Sequence, residues 1–134
     1  MVTIKDVAEK AGVSITTVSH VINETRYVSE ELTEKVHKAM KHLNYRPNSI
    51  ARSLRSGSTK TIGLVIPDIS NPFFAEFARR IEDKGFNYGY NVIVCNTDED
   101  NRKVQMYIDV LISKQVDGLI FFSTGDNQSI WNNF

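Results

Sequence analysis

Between Ser14 and Asn23 the sequence places Ser14, Ile15, Thr16, Thr17, Ser19, His20 and Asn23 on one side of a helix-length stretch, opposite an apolar stripe of Val18, Val21 and Ile22. Short polar groups near a helix start can approach base edges in a DNA major groove. Thr16 and Thr17 each offer a hydroxyl to a base or a phosphate and a methyl to thymine. Neutral His20 carries one donor and one acceptor, which suits a base acceptor such as guanine O6 or N7. Arg46, Arg52 and Arg55 follow with charge for a phosphate backbone. Taken singly, exposed serines and threonines are solvated side chains and a lone histidine is a surface one. Only elements that hold these groups together make DNA contact the better reading.

Other chemistries fare worse. His37 and His42 are five residues apart, an unnatural metal pair, and the single cysteine, Cys95, lies in an apolar run that reads as strand core. Asp98, Glu99 and Asp100 read as loop solvation or helix-start stabilisation. There is no G-x-S-x-G elbow, no P-loop and no zinc spacing. The sequence therefore predicts no catalytic residues, no metal and no cofactor. One cysteine rules out an intrachain disulfide and fits a reducing cytoplasm, and no apolar run approaches the roughly 20 residues of a membrane span.

The 134 residues carry 16 basic and 16 acidic side chains, but unevenly. Residues 1–60 hold ten basic against six acidic residues, and residues 61–134 the reverse, so an excess of +4 faces one of −4. Periodicity changes near the same place, from amphipathic helices to β-branched runs alternating with helices. Two folding units joined near Ser56-Gly57-Ser58 are expected.

In the first, Thr3 caps a helix with Asp6 in its first turn, Ile4, Val7, Ala8 and Ala11 repeat at helical spacing, and Gly12 ends it. Ser14 caps the second helix, so the two form a tight helix-turn-helix. A third helix, Glu30 to Asn44 behind Ser29, supplies the surface they bury against. Pro47 stops it, and Asn48 starts one more short helix over Ser49–Arg55, too short to stand without a partner.

The run TIKDVAEKAGVSITTVSHVINETRYVSEELTEKV, followed by LNYRPNSIARSLRSGSTKTIGLVIPDISNPFF, resembles the lactose/galactose repressor family of bacterial transcription regulators. The likeness covers almost the whole chain and implies a DNA-binding headpiece over 1–47, a hinge helix over 48–57, and an incomplete effector-binding and dimerisation domain over 58–134. It implies a sequence-specific regulator, most often a repressor, binding a palindromic operator as a homodimer in the cytoplasm. Thr16, Thr17 and His20 then form the readout surface, while Thr3, Ser14, Arg26 and Ser29 position the backbone of the DNA; Arg26 can instead reach a base edge. Hinge helices of two subunits would pair in the minor groove, with Leu54 wedged between base steps and Arg55 on phosphate.

The second unit reads β-α-β-α-β: strands at Thr61–Ile66, Asn91–Cys95 and Gly118–Phe122, helices at Phe73–Tyr88 and Arg102–Lys114. A dinucleotide enzyme is argued against by the first strand-to-helix connection, Pro67 to Asn71, which lacks a glycine-rich phosphate cradle. The resemblance implies the start of a periplasmic-binding-protein-like, parallel-sheet module for a sugar or purine-like effector, with Asn71, Phe73 and Phe74 facing the cleft. The aromatic pair can equally pack into core or a dimer contact. After Phe122, residues 123–128 read as a loop and 130–134 as too short to complete the layer, so a fragment of a longer repressor is expected. The competing reading is a small-molecule-binding or dimerisation module with an inactive headpiece; an enzyme ranks third.

Overall fold

The computed structural model describes residues 1–122 and divides the chain into two compact units that meet at Arg55 and Ser56. The loop and tail expected at 123–134 lie outside the described residues.

The first unit opens with α1 (Ile4–Ala11), capped by Thr3 in a reciprocal box: the Asp6 amide donates to Thr3 Oγ1 at 3.4 Å and the Thr3 amide donates to Asp6 Oδ2 at 2.7 Å. Gly12 ends α1 with φ 68°. Its amide bonds Glu9 and the Val13 amide bonds Ala8 at 3.0 Å, a closing turn that only a residue tolerant of left-handed geometry accommodates without strain. Val13 packs on the core directly beyond that turn, and Ser14 caps α2 (Ile15–Asn23). A three-residue connection, Gly12-Val13-Ser14, thus fixes where α2 starts.

Ser29 caps α3 (Glu30–His42). This helix ends two residues earlier than its pattern predicts. Asn44 adopts φ 52° and the Tyr45 amide reaches back to Met40 at 2.9 Å, so the same kind of closing turn acts before Pro47 can. Val7, Ala8, Val18, Val36 and Ala39 form the buried core, with Ile4, Val21, Ile22, Leu43 and Tyr45 around it. The segment expected as a hinge helix forms α4 (Ser49–Ser56), one residue longer than expected, begun by the Ile50 amide donating to Asn48 Oδ1 at 2.9 Å. None of its residues is buried. Fewer than three turns without burial make it a helix in want of a partner, as its length predicts.

In the second unit, β1 (Thr61–Ile66), β2 (Asn91–Asn96) and β3 (Gly118–Phe121) form a parallel sheet in the order β2-β1-β3. Leu64 pairs with Val94 on one side and Ile120 on the other. The connecting helices are α5 (Pro72–Asn87) and α6 (Asn101–Ser113), each within one or two residues of its expected bounds. Alternation along the central strand assigns its two faces. Leu64 and Ile66 pack with Ala78, Phe74 and Ile81 of α5, whereas Val65 packs with Cys95 and with Leu111 of α6. Cys95 is therefore core, and burial pushes its thiol pKa up. Asp100 caps α6 and pairs with Arg102 at 2.8 Å; hydrogen bonds from Arg102 pull its carboxyl down to about 2. Asp98 meets Lys103 and Asn96. The acidic cluster serves a helix start.

Two outcomes test this packing. A Cβ at Gly63 would stand 2.6 Å from the buried Leu111 Cδ1, so Gly63→Ala should lower the second unit's unfolding free energy by about 1–3 kcal/mol, read by urea unfolding. Hydrogen bonds from Thr3 hold the Asp6 carboxyl below its ordinary 3.8, so the box stabilises the fold above that value and is lost as pH falls through the lower folded-state value. Carbon-detected titration should find Asp6 below 3.8, and Thr3→Ala, which removes the hydroxyl but keeps the amide bond, should raise it only part of the way back.

Candidate nucleic-acid interface

Burial of Val18 turns the opposite side of α2 outward. Thr16 is exposed, Ile15 is 46% exposed, and Thr17 and His20 are half-buried. By helix geometry the amides of Ile15 and Thr16 have no carbonyl partner within α2, and the helix dipole adds positive potential there. The Thr17 amide donates to Ser14 Oγ at 3.1 Å, and the two hydroxyl oxygens lie 2.9 Å apart. Ser14 thus both starts α2 and orients Thr17, leaving the threonine hydroxyl two further hydrogen-bonding sites and its methyl for a ligand.

His20 is held in a similar way. Its Nδ1 lies 2.8 Å from the hydroxyl of Thr25, just past the left-handed Glu24 that ends α2. If the hydroxyl donates, the imidazole proton sits on Nε2, which becomes a donor; if Nδ1–H donates, Nε2 becomes an acceptor. The sequence pattern does not single out Thr25, because it lies beyond the helix and its five-residue separation from His20 fits no helical face. Only the turn of the chain at Glu24 brings the pair together.

Ser19 and Asn23, expected with the outward face, lie on its flank. Asn23 Nδ2 donates to the Ser19 carbonyl at 3.0 Å and hydroxyl at 3.2 Å, and Arg55 Nη1 donates to Ser19 Oγ at 3.3 Å. With Ile22, Tyr45, Asn48, Ala51 and Arg52 they line a cleft beside α4. Their four-residue spacing carried that signal, since it puts both on one edge of the helix.

Thr3 and Ser29 cap α1 and α3 through their hydroxyls. Arg26 is exposed in the loop after α2, next to a 92%-exposed Tyr27. Lys35 and Lys38 pair along α3 with Glu31 and Glu34 at 3.3 and 3.2 Å, whereas Arg26, Arg46 and Arg52 have no acidic partner among the described residues. Positive charge thus remains available on the arginines more than on α3. On α4, Ile50 and Leu54 are 70% and 77% exposed, four residues apart and on one face.

The three candidate effector residues separate. Asn71 caps α5, accepting from the Phe73 amide at 3.0 Å. Phe74 packs on the sheet, edge-on to Phe122 at 5.8 Å, and serves the core. Phe73 alone stands outward, 63% exposed against the edge of Phe74. Among the described residues no group of three His, Cys, Asp or Glu side chains is placed to hold a metal ion, and no helix is long and apolar enough to cross a membrane.

Thr25→Val removes the His20 partner without touching the core. It should shift the ring's nitrogen resonances toward an unrestrained tautomer mixture and leave the melting temperature of the first unit unchanged, both read by NMR.

The geometry has close counterparts. Over 120 residues the chain is 54% identical to the "Ribose operon repressor" of Halalkalibacterium halodurans, covering 90% of this chain and 36% of that protein. It is 49% identical over 120 residues to the "HTH-type transcriptional repressor PurR" of Glaesserella parasuis, covering 90% and 35%. The crystal structure of the lac repressor dimer bound to operator and the anti-inducer ONPF matches with TM-score 0.76 and 33% identity, covering 88% of this chain and 36% of that one. The chain spans little more than a third of the length of these relatives. Residues 3–48 match "Bacterial regulatory proteins, lacI family" and residues 59–133 match "Periplasmic binding proteins and sugar binding domain of LacI family". With its helix-turn-helix unit and its parallel β/α unit in that order, the chain belongs to the LacI family of bacterial regulatory proteins.

Proposed function

We propose that this chain is the operator-reading part of a cytoplasmic, non-enzymatic transcription repressor that binds palindromic DNA as a homodimer. The carrying observation is the outward face of α2, where Thr16, Thr17 and His20 are displayed by a helix whose rotation is fixed by the buried Val18. In the major groove, Thr16 and Thr17 supply hydroxyls and methyls and His20 one ring nitrogen to base edges. Thr3, Ser14, Arg26 and Ser29 fix the register on phosphates, with the helix-start amides beside them.

Paired α4 helices occupy the minor groove between two half-sites. Ile50 faces its counterpart and Leu54 wedges between base steps, at a cost of a few kcal/mol that the bent duplex repays in contacts. Arg55 exchanges Ser19 for phosphate. The names of the relatives favour a sugar or purine-like effector for the module that residues 58–134 begin. Asn71, Phe73 and Phe74 are its candidate contacts, and the exposure of Phe73 favours it most.

Selection from randomised duplexes should yield a two-fold symmetric site bound far more tightly than its scrambled version at matched salt. Equal affinities from a folded chain would overturn the reading. On the selected site, His20→Ala or Thr17→Ala should cost about 1–3 kcal/mol of discrimination. Leu54→Ala should reduce DNA curvature in a circular-permutation gel assay while α1 to α3 stay folded. Arg55→Ala should flatten the salt dependence of binding by about one phosphate contact.

A further inference from the structure

Asp117, one residue before β3, gathers the chain that leads from α4 into the sheet. Its carboxylate accepts from the Ser58 hydroxyl, from the Thr59 amide at 2.9 Å and hydroxyl at 3.3 Å, and from the Lys60 amide at 3.1 Å. The Thr59 hydroxyl also reaches the Gln115 carbonyl at 2.9 Å, and the Asp117 amide donates to the Thr61 carbonyl at 2.8 Å. The other end of the segment is closed by Ser56, the last residue of α4. Its hydroxyl donates to the Ser58 carbonyl at 3.0 Å and accepts from the Ser58 amide at 3.3 Å. Hydrogen bonds therefore run without a break from the end of α4 to the start of β3.

The segment is not relaxed. Lys60 holds φ 51°, a left-handed conformation that a side-chain-bearing residue avoids, so its neighbours must keep it there. Charge-assisted bonds are the strong kind, and these donors hold the Asp117 carboxyl below its ordinary range. Asp117 and Lys60 are exposed and no apolar core lies between them, so the bonds add little to the burial that stabilises the sheet. What they determine is where the chain beyond α4 is fastened.

We propose that Asp117 is a positioning residue for operator recognition: by pinning residues 58–60 it sets the point from which the hinge helix extends. This rests on the operator-binding reading above. Released, those three residues become a free tether with a reach of at most about 10 Å, at 3.3–3.6 Å each. Two hinge helices bridging one operator then meet at a lower effective concentration. The headpiece's own base contacts are untouched.

The test compares Asp117→Asn, Asp117→Ala and the milder Ser58→Ala with the wild-type 134-residue chain on the selected duplex and its scrambled version. Amide hydrogen exchange and thermal melting are read on the same samples. The expected result is faster exchange at Thr59 and Lys60, a small drop in melting temperature, a roughly tenfold loss of affinity for the selected duplex and none for the scrambled one. Specific affinity that stays at the wild-type level while those amides exchange faster overturns the proposal. So does a loss of both affinities in step with melting, which would make Asp117 a stabilising residue only. If Asp117→Ala fails to fold, Asp117→Asn and Ser58→Ala decide. A wild-type chain that cannot tell the two duplexes apart overturns the operator reading instead, which separates the two failures.

Discussion

The burial of Val18 against Val7, Ala8, Val36 and Ala39 is the constraint on which the first unit depends. One side chain fully removed from water fixes the rotation of α2 about its axis, and that rotation decides which residues face outward. The closing turn at Gly12 fixes the start of the same helix. With rotation and starting point both set, Thr16, Thr17 and His20 form a surface of constant shape, and the side chains themselves need only small local restraints from Ser14 and Thr25. A core of five small residues is enough because the helices it joins are short and each is capped by its own side chain.

Much of this was legible in the residues. Caps at Thr3, Ser14, Ser29 and Asn48 are local events between neighbours, and apolar spacing of three and four reports a core face directly. The β-α-β-α-β order followed from period alone, including Cys95 as core. What stayed hidden was non-local or conformational. Asn44 ended α3 early because its left-handed geometry closes the helix, a role its identity permits but does not announce. Strand order β2-β1-β3 and the meeting of Asp117 with Ser58 depend on chain segments almost 60 residues apart. The His20–Thr25 pair needed the path of the backbone beyond a helix end, and the approach of Arg55 to Ser19 needed its path along α4.

The second unit divides labour differently. Its central strand is buried on both faces, so Leu64, Val65 and Ile66 are committed to packing. Apart from pairs along the helices, such as Arg79 with Asp83 and Arg80 with Glu76 on α5, the polar bonds among the described residues gather at the ends of the strands and the connections there. Asn71 and Asp100 start helices, Asp98 and Asn96 brace a loop, and Asp117 fastens the incoming chain. Of the three phenylalanines in the first two turns of α5, Phe74 and Phe77 are engaged with Phe122, and Phe73 is the one that stands outward. The same sequence stretch thus supplies both scaffold and exposed surface, and side-chain packing separates the two.

Because α4 buries none of its residues, its own helical equilibrium enters any process that requires it folded. A partner that recognises only the helical form binds with an apparent affinity scaled by the fraction of chains in which the helix already exists. Ser53, whose hydroxyl donates to the Ser49 carbonyl of the helix's own backbone, keeps that fraction low compared with alanine. A substitution at Ser53 therefore adjusts how often α4 is folded in graded steps, while the surface of α2 stays the same.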